Sequence, residues 1–397
     1  MNSTSILARR AAGMKRSAVR ELLKLTQRPD MISFAGGLPA PELFPVEEIG
    51  VVTAELLQKR GTTLLQYGET EGVGELRDWI AQSLSSKGWA LDRSNVLITN
   101  GAQQALDLIG RVLVDEGDAV VVDNPTYLAA LSAWRPCGAR FCPRRNAAGG
   151  VSGTGMEAWL GEGAKLVYQI SNFSNPTGLS LGDEERRRWV EAMVPLSESR
   201  TVWIEDDPYG ALRYEGTATA SLFERAAGRF GAASPVLSVG TFSKVLVPGL
   251  RVGWVAGDRG ILDALVRSKQ AADLHSSPLN QWIVLELLRR GQLERQLPRL
   301  RRIYRERRDA MLAALEESLV GEVQWTRPEG GMFVWVTLPE TVDAAALLER
   351  ALARGVAFVP GAEFHVDGGG RNTLRLNFTH VTPDRIREGM ERLKTAW

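Results

Sequence analysis

The chain has 397 residues, 44% hydrophobic and 24% charged, which is ordinary globular composition and enough chain for two or three domain-sized units. Lysine and arginine number 48 against 47 aspartates and glutamates, so no global field draws the protein to nucleic acid or to an anionic membrane. Two cysteines, Cys137 and Cys142, and three histidines make neither a disulfide framework nor a metal-ligand cluster, and no apolar run approaches the ~20 residues of a membrane span.

The N-terminal segment carries Arg9, Arg10, Lys15, Arg16 and Arg20. It lacks the apolar stretch of a secretory signal and looks only faintly like a transit peptide. A folded arm with a helix over residues 17–25 is expected, in a protein of the reducing cytoplasm. Short β-branched runs then read as strands at 95–99, 119–123, 165–170, 201–206, 236–240 and 252–256. Most are continuously apolar, as in strands covered on both faces. Helical patterns lie between several of them, at 102–114, with Ala105, Leu106, Ile109, Val112 and Leu113 on a common side, and at 184–194. This alternation predicts an α/β fold with a mostly parallel sheet between helices.

The character changes near Pro278. A long helical stretch from about 280 to 318, strand patterns at 332–337 and 373–377, and helices between and after them predict a smaller α+β domain. The expected boundaries are an N-terminal arm and helix over 1–33 that belongs to the small domain, a large domain over 34–284, and a C-terminal small domain over 285–397. No repeats are visible, and 367–370 reads as a turn. The arginine-dense segment 299–308 contains Glu306 and an apolar side of Leu300, Ile303 and Tyr304, so it reads as a solvated amphipathic helix rather than a nucleic-acid surface.

Neither the glycine pattern of dinucleotide folds nor a P-loop occurs. The informative segment is 240–254. Lys244 follows a strand closely, Thr241 and Ser243 place hydroxyls just before it, and Arg251 comes after a Pro248-Gly249 turn. Such a set suits an aldehyde cofactor that carries a phosphate. Lys244 can form a Schiff base if its amine is less protonated than an ordinary lysine's, the hydroxyls can donate to phosphate, and Arg251 can neutralise it with a planar fork of donors. On this segment alone, the competing reading is a surface lysine in a loop.

Four more positions carry chemistry. Gly101-Ala102-Gln103-Gln104 joins a strand to a helix, where open N–H groups favour an anion and Gln103 adds a donor, although many such turns contain glycine. Glu205-Asp206-Asp207-Pro208-Tyr209 ends an apolar strand; its carboxylate either pairs with a pyridinium nitrogen and keeps it protonated or builds a turn. Asn175, before Pro176-Thr177-Gly178, could hydrogen-bond a ring oxygen from that turn. Arg375 lies in an alternating strand, where solvent is the default; in an amino-acid enzyme it would clamp an α-carboxylate bidentately.

Taken together and in this order, these segments resemble the class I/II aminotransferases of the fold-type I pyridoxal-phosphate (PLP) family, over nearly the whole length. Within that family the chain is similar to the α-aminoadipate and kynurenine-type aminotransferases. The resemblance rests on residues 17–25 and 33–45, on Gln66-Tyr67-Gly68, on the Asn175, Asp206 and Lys244 segments, and on 328–333 and 372–377. It implies a large PLP-binding domain beside the small one. Lys244 is then the Schiff-base lysine and proton carrier, Asp206 pairs with the ring nitrogen, Asn175 and Tyr209 contact the ring oxygen, and Tyr127 stacks on the ring. Gly101, Ala102, Gln103, Thr241, Ser243 and Arg251 surround the phosphate. Tyr67 reaches the phosphate and substrate of the neighbouring subunit, which implies a homodimer with shared sites. Arg375 and Asn175 bind the substrate α-carboxylate, and Gly36 and Gly37 line the substrate side. Arg20 stands where relatives that accept acidic side chains carry an arginine on a mobile helix.

The resemblance further implies ping-pong transfer from a small amino acid to a 2-oxo acid. The expected donor is 2-aminoadipate, with leucine and aromatic amino acids close behind, and the expected acceptor is 2-oxoglutarate. The alternatives are β-elimination or decarboxylation with the same cofactor, or the ligand-sensing domain of a transcription regulator; the segment ahead of Ser33 is too short for a winged helix-turn-helix. Two positions depart from the common pattern. Ala102 stands where serine is usual and Ser174 where glutamine is usual.

Overall fold

The computed structural model describes the chain apart from residues 1–5, 13, 15–19, 23–27, 29, 87, 145–162, 195–199 and 320. In chain order, β1 (Ile32–Ser33), α1 (Val46–Leu64) and α2 (Gly74–Leu84) lead into an alternating series: β2 (Val96–Asn100), α3 (Ala102–Leu113), β3 (Ala119–Asp123), α4 (Leu128–Trp134), β4 (Arg140–Arg144), β5 (Leu166–Gln169), α5 (Asp183–Met193), β6 (Val202–Asp206), α6 (Leu222–Phe230), β7 (Val236–Thr241) and β8 (Val252–Ala256). Three helices follow, α7 (Arg259–Ala272), α8 (Pro278–Arg289) and α9 (Gln292–Ser318). The chain closes with β9 (Gln324–Trp325), β10 (Phe333–Thr337), α10 (Ala344–Ala353), β11 (Val356–Ala357), β12 (Val359–Pro360), β13 (Thr373–Asn377) and α11 (Pro383–Lys394).

The large sheet has the order β2-β8-β7-β6-β5-β3-β4. Its neighbours pair in parallel except that β8 runs antiparallel to both β2 and β7. The reversal follows from chain length: only residues 242–251 separate β7 from β8, too few for a parallel crossover. The apolar strands are covered on both sides. Val120, Val122, Leu166, Ile204 and Val239 pack into one cluster with Leu106 and Ile109 of α3. Their sequence neighbours Val121, Val167 and Trp203 pack into another with Trp189 and Met193 of α5 and Phe223 of α6. Alternate residues of a strand thus feed opposite layers, as the pleat requires.

A second, antiparallel sheet has the order β12-β13-β10-β9, and β1 pairs in parallel with β11. Val334, Val336, Leu374 and Leu376 of this sheet are buried with Met311 and Leu315 of α9 and Ile386 and Met390 of α11. The expected helix over 280–318 is two helices. They part at Gly291, whose φ of 68 is a left-handed conformation that suits glycine. The helix expected over 17–25 lies mostly outside the described residues; Arg20, Glu21 and Leu22 are helical. Where a turn is expected at 367–370, residues 366–368 form a bend, and φ is positive at Gly368 and Gly370. Among the described residues, no helix is long and apolar enough to cross a membrane, and no group of three or more His, Cys, Asp or Glu side chains could hold a metal ion.

Candidate active site

The C-terminal ends of β2, β3, β5, β6 and β7 face a cavity of about 510 Å³, the place where open α/β sheets bind their ligands. The cavity brings together Arg20, Gly37, Ala102, Gln103, Tyr127, Asn175, Asp206, Tyr209, Thr241, Ser243, Lys244, Arg251 and Arg375, all expected from the sequence. Gly101 lies directly behind the Arg251 guanidinium: a Cβ there would sit 2.4 Å from Arg251 Nη2. Gly36 and Tyr67 are not among the lining residues. Tyr67 is 78% exposed, with its ring edge-on to His275 at 5.7 Å.

Lys244 follows β7, and its Nζ donates to the Gly37 carbonyl at 2.9 Å. Burial, and then the charges of Arg375 and Arg251, lower its pKa from 10.5 to about 8. Desolvation disfavours the ammonium, and the two guanidinium groups repel it. Part of the population therefore carries a neutral, nucleophilic amine near neutrality.

Asp206 ends β6, and its carboxyl is 2% exposed. Burial raises its pKa to about 7, the Tyr168 hydroxyl pulls it down by donating to Oδ2 at 2.8 Å, and Asp207 adds repulsion. The second oxygen, Oδ1, is buried without a hydrogen-bond partner. Burial raises the Tyr209 phenol and holds Tyr127 at about 12, so both are neutral donors. Tyr209 sits edge-on to Phe333 at 5.9 Å.

Arg375 enters from β13 in the second sheet. Its side chain is 3% exposed and donates from Nη1 to Asn175 Oδ1 at 2.7 Å and from Nη2 to the Ala35 carbonyl at 2.6 Å. The guanidinium lies over Phe333 at 4.3 Å and near Phe364 at 5.1 Å. Nε has no partner, and among the described residues no carboxylate lies within ion-pair distance. A buried cation held by neutral groups is costly unless an anion completes it.

At the opposite end the donors suit a phosphate. α3 starts at Ala102 behind Gly101, which has φ 75 and no side chain to cap the open N–H groups. Gly253 lets β8 press against this turn, since a Cβ there would meet Ala102 N at 2.7 Å. Thr241 Oγ1 and Ser243 Oγ lie 2.9 Å apart, Gln103 donates to the Ala129 carbonyl, and Arg251 Nη2 donates to the Asn100 carbonyl. With Arg251 they make a set of donors without a carboxylate among them, the chemistry a phosphorylated pyridine aldehyde requires. Ala102 supplies no hydroxyl. Ser174 is not in the lining and instead closes the asparagine loop through its backbone, taking Gly178 N and giving its own N–H to Leu179 O.

Sequence reasoning missed Tyr168 and the apolar wall of Leu38, Leu128, Ala129, Ile170 and Phe364. Tyr168 sat in a strand pattern with Leu166, Val167 and Ile170, so the only signal was a hydroxyl in a core position. It also missed the support behind the two loops. Arg186 Nη2 donates to Asn172 Oδ1 at 2.6 Å and to the Ser171 carbonyl at 3.0 Å, Asn172 Nδ2 donates to Asp207 Oδ2 at 2.8 Å, and Asp207 Oδ1 accepts from Gly210 N at 2.7 Å.

Residues 31–393 match the model of the family aminotransferase class I and II. The chain is 45% identical to a 2-aminoadipate transaminase of Thermus thermophilus, over 97% of this chain and 95% of that one. It is 43% identical to aromatic-amino-acid aminotransferase 1 of Thermococcus litoralis, over 97% and 92%. Among solved structures, an α-aminoadipate aminotransferase from Thermus thermophilus, in complex with N-(5′-phosphopyridoxyl)-L-leucine, superposes with a TM-score of 0.92 at 41% identity, covering 100% of this chain and 98% of that one. With a lysine of lowered pKa, an orphaned carboxylate oxygen and a phosphate-shaped donor set in one cavity, the chain belongs to the class I and II aminotransferases.

Proposed function

We propose that the enzyme moves the α-amino group of an L-amino acid to 2-oxoglutarate in two successive half-reactions at one site. 2-Aminoadipate is the preferred donor, and leucine and aromatic amino acids are accepted. Pyridoxal 5′-phosphate is the cofactor; when bound it supplies an aldehyde that accepts the amino group and a ring that withdraws electrons from the substrate α-carbon. The observation that carries the reading is a pair of buried opposite charges, Asp206 and Arg375, in the wall of the cavity that holds Lys244, each with one polar atom left without a partner.

In this reading Lys244 would hold the cofactor covalently and, once released, would take the proton from the substrate α-carbon and deliver it to the carbon that bore the aldehyde, with the reverse transfer in the second half-reaction. An amine whose pKa lies near the working pH suits both tasks. Asp206 pairs with the ring nitrogen through Oδ1 and keeps it protonated. Asn175 and Tyr209 hold the ring oxygen, Tyr127 covers the ring face, and Gly101, Ala102, Gln103, Thr241, Ser243 and Arg251 hold the phosphate. Arg375 binds the substrate α-carboxylate with Asn175 beside it, and Gly37 borders the substrate. Tyr67 serves the neighbouring subunit of a cytoplasmic homodimer. Residues 34–284 form the cofactor domain, with 1–33 and 285–397 forming the small domain.

Arg20 supports 2-aminoadipate as donor, because it lines the cavity and offers a cation to a distal carboxylate. The apolar wall suits leucine and aromatic side chains. Two relatives, one named for 2-aminoadipate and one for aromatic amino acids, support the same breadth. Arg20→Ala should lower kcat/KM for 2-aminoadipate about tenfold, the equivalent of about 1.4 kcal/mol, while leucine stays within about twofold. Equal losses for 2-aminoadipate, glutamate and leucine would remove the charge contact from the account.

A further inference from the structure

We propose that Tyr168 is a positioning residue for the reaction: its hydroxyl occupies one oxygen of Asp206 and so fixes the carboxylate with the other oxygen presented to the ring nitrogen of the cofactor. The inference rests on the assignment of Asp206 to that nitrogen.

The geometry is that of a locked side chain. Tyr168 stands in the centre of β5, 1% exposed, and donates to Asp206 Oδ2 at 2.8 Å from the adjacent strand β6. Its ring is held in turn. It meets Trp134 of α4 edge-on, with ring centroids 5.2 Å apart and planes at 84°. Trp134 is fully buried, and its indole N–H donates to the Leu106 carbonyl of α3 at 2.8 Å. Gly110 of α3 makes room for that indole, since a Cβ there would lie 2.4 Å from Trp134 Cδ1. One chain of contacts therefore runs from the helix that starts at Ala102, through the helix that follows Tyr127, to the carboxylate on β6. It ties the floor of the phosphate end to the group at the nitrogen end.

A carboxylate has two oxygens and a free χ2. With Oδ2 engaged by Tyr168 and Oδ1 without a partner, a single oxygen remains to meet a ring N–H. The phenol keeps its proton to donate to the carboxylate, because burial and then the neighbouring Asp206 charge push its own ionisation far above the usual range. A donor to the charged form also opposes the burial that raises Asp206. The other titratable groups around Asp206 are Asp207 and Tyr209 on its own segment, Tyr127 after β3, Lys244 after β7 and Arg375 on β13. None of the hydrogen bonds to Asp206 described in the structure comes from these. Removing the Tyr168 hydroxyl therefore raises the carboxyl pKa, and the charged form is lost at a higher pH as acid is added.

The test compares the wild-type protein with Tyr168→Phe, Asp206→Asn and the double variant. Pyridoxal 5′-phosphate affinity is measured by absorbance titration from about pH 6 to about pH 9, alongside steady-state kinetics with an amino donor. Tyr168→Phe should weaken cofactor binding about tenfold near pH 7 but only about twofold near pH 9, and should lower kcat with the donor KM unchanged. In the Asp206→Asn background, where no carboxyl titrates, the same substitution should add no pH-dependent loss. Val167→Ala, which perturbs packing on the opposite face of β5 and keeps the hydroxyl, should not shift the pH dependence. A loss in Tyr168→Phe that is equal at every pH, one that persists without Asp206, or a Val167→Ala profile that copies it would overturn the proposal in favour of simple packing. If the wild-type protein took up no cofactor at all, the proposed function would fall instead.

Discussion

Lys244 and Arg375 show how the site assigns protonation states by placing like charges around a buried amine. Burial is the larger cause of the lowered lysine pKa, and Arg375 is the next. The neutral amine is present above a pH of about 8 and is lost as pH falls through that value. Arg375→Leu removes a cation, so the lysine pKa should rise and the pH at which apoprotein captures pyridoxal phosphate should move upward. Stopped-flow absorbance against pH reads this directly, and an unchanged midpoint would mean that burial acts alone. On the proposed role of Arg375, the same variant would leave the substrate carboxylate without its partner and should reduce kcat/KM about a hundredfold, roughly 3 kcal/mol. The residues of this chemistry were legible because each task needs one residue type at a strand end: an amine, a carboxylate, a fork of donors. Tyr168 was not legible, because its partner is set by the β5–β6 register, which pairs Tyr168 with Ile204 and leaves Asp206 two residues further along.

The elements matter through what holds their loops in place. Arg186 on α5 is fully buried and spends its donors on the carbonyls of Ser171, Leu181 and Ala220 and on Asn172. It thereby fixes the segment that carries Asn175 relative to the turn that carries Tyr209. Arg186→Met should strand these acceptors and destabilise the fold by about 3 kcal/mol, read as a lower denaturation midpoint at an unchanged m-value. Cofactor affinity should fall with it, since both loops would lose their anchor. A midpoint within error of wild type would show that water replaces the guanidinium at little cost. From sequence, 184–194 read as a helical pattern with nothing to mark Arg186 as internal. The same blindness hid β4, whose Arg140, Pro143 and Arg144 look unlike a strand. It pairs with β3 alone, and an edge position tolerates proline and charge. By contrast the other six strands of the sheet, five interior and β2 at the opposite edge, were legible because burial on both faces demands near-continuous apolar runs.

At the scale of the whole molecule, the position of Tyr67 sets the problem. It follows α1, lies 78% exposed and is absent from the cavity, although the chain's resemblance to its family ties it to the phosphate. The proposed two-fold dimer accounts for both facts if Tyr67 of each subunit completes the site of the other. Exposed apolar side chains on the same helix and after it, Val46, Val51, Leu57 and Leu65, supply surface that a second copy could cover. Sequence patterning could not place this surface, because a contact between copies leaves no periodic trace within one chain. The arrangement makes a prediction by complementation. Tyr67→Ala and Lys244→Ala should each be nearly inactive at limiting cofactor, the latter also lacking the near-visible absorbance of lysine-bound cofactor. Unfolded together and refolded as a mixture, they should regain about a quarter of wild-type activity, because about half of randomly paired dimers are hybrids and each hybrid contains one site with neither defect. If Tyr67 served its own subunit, every site in a hybrid would carry one defect, and the mixture would show no more than the mean of its parents.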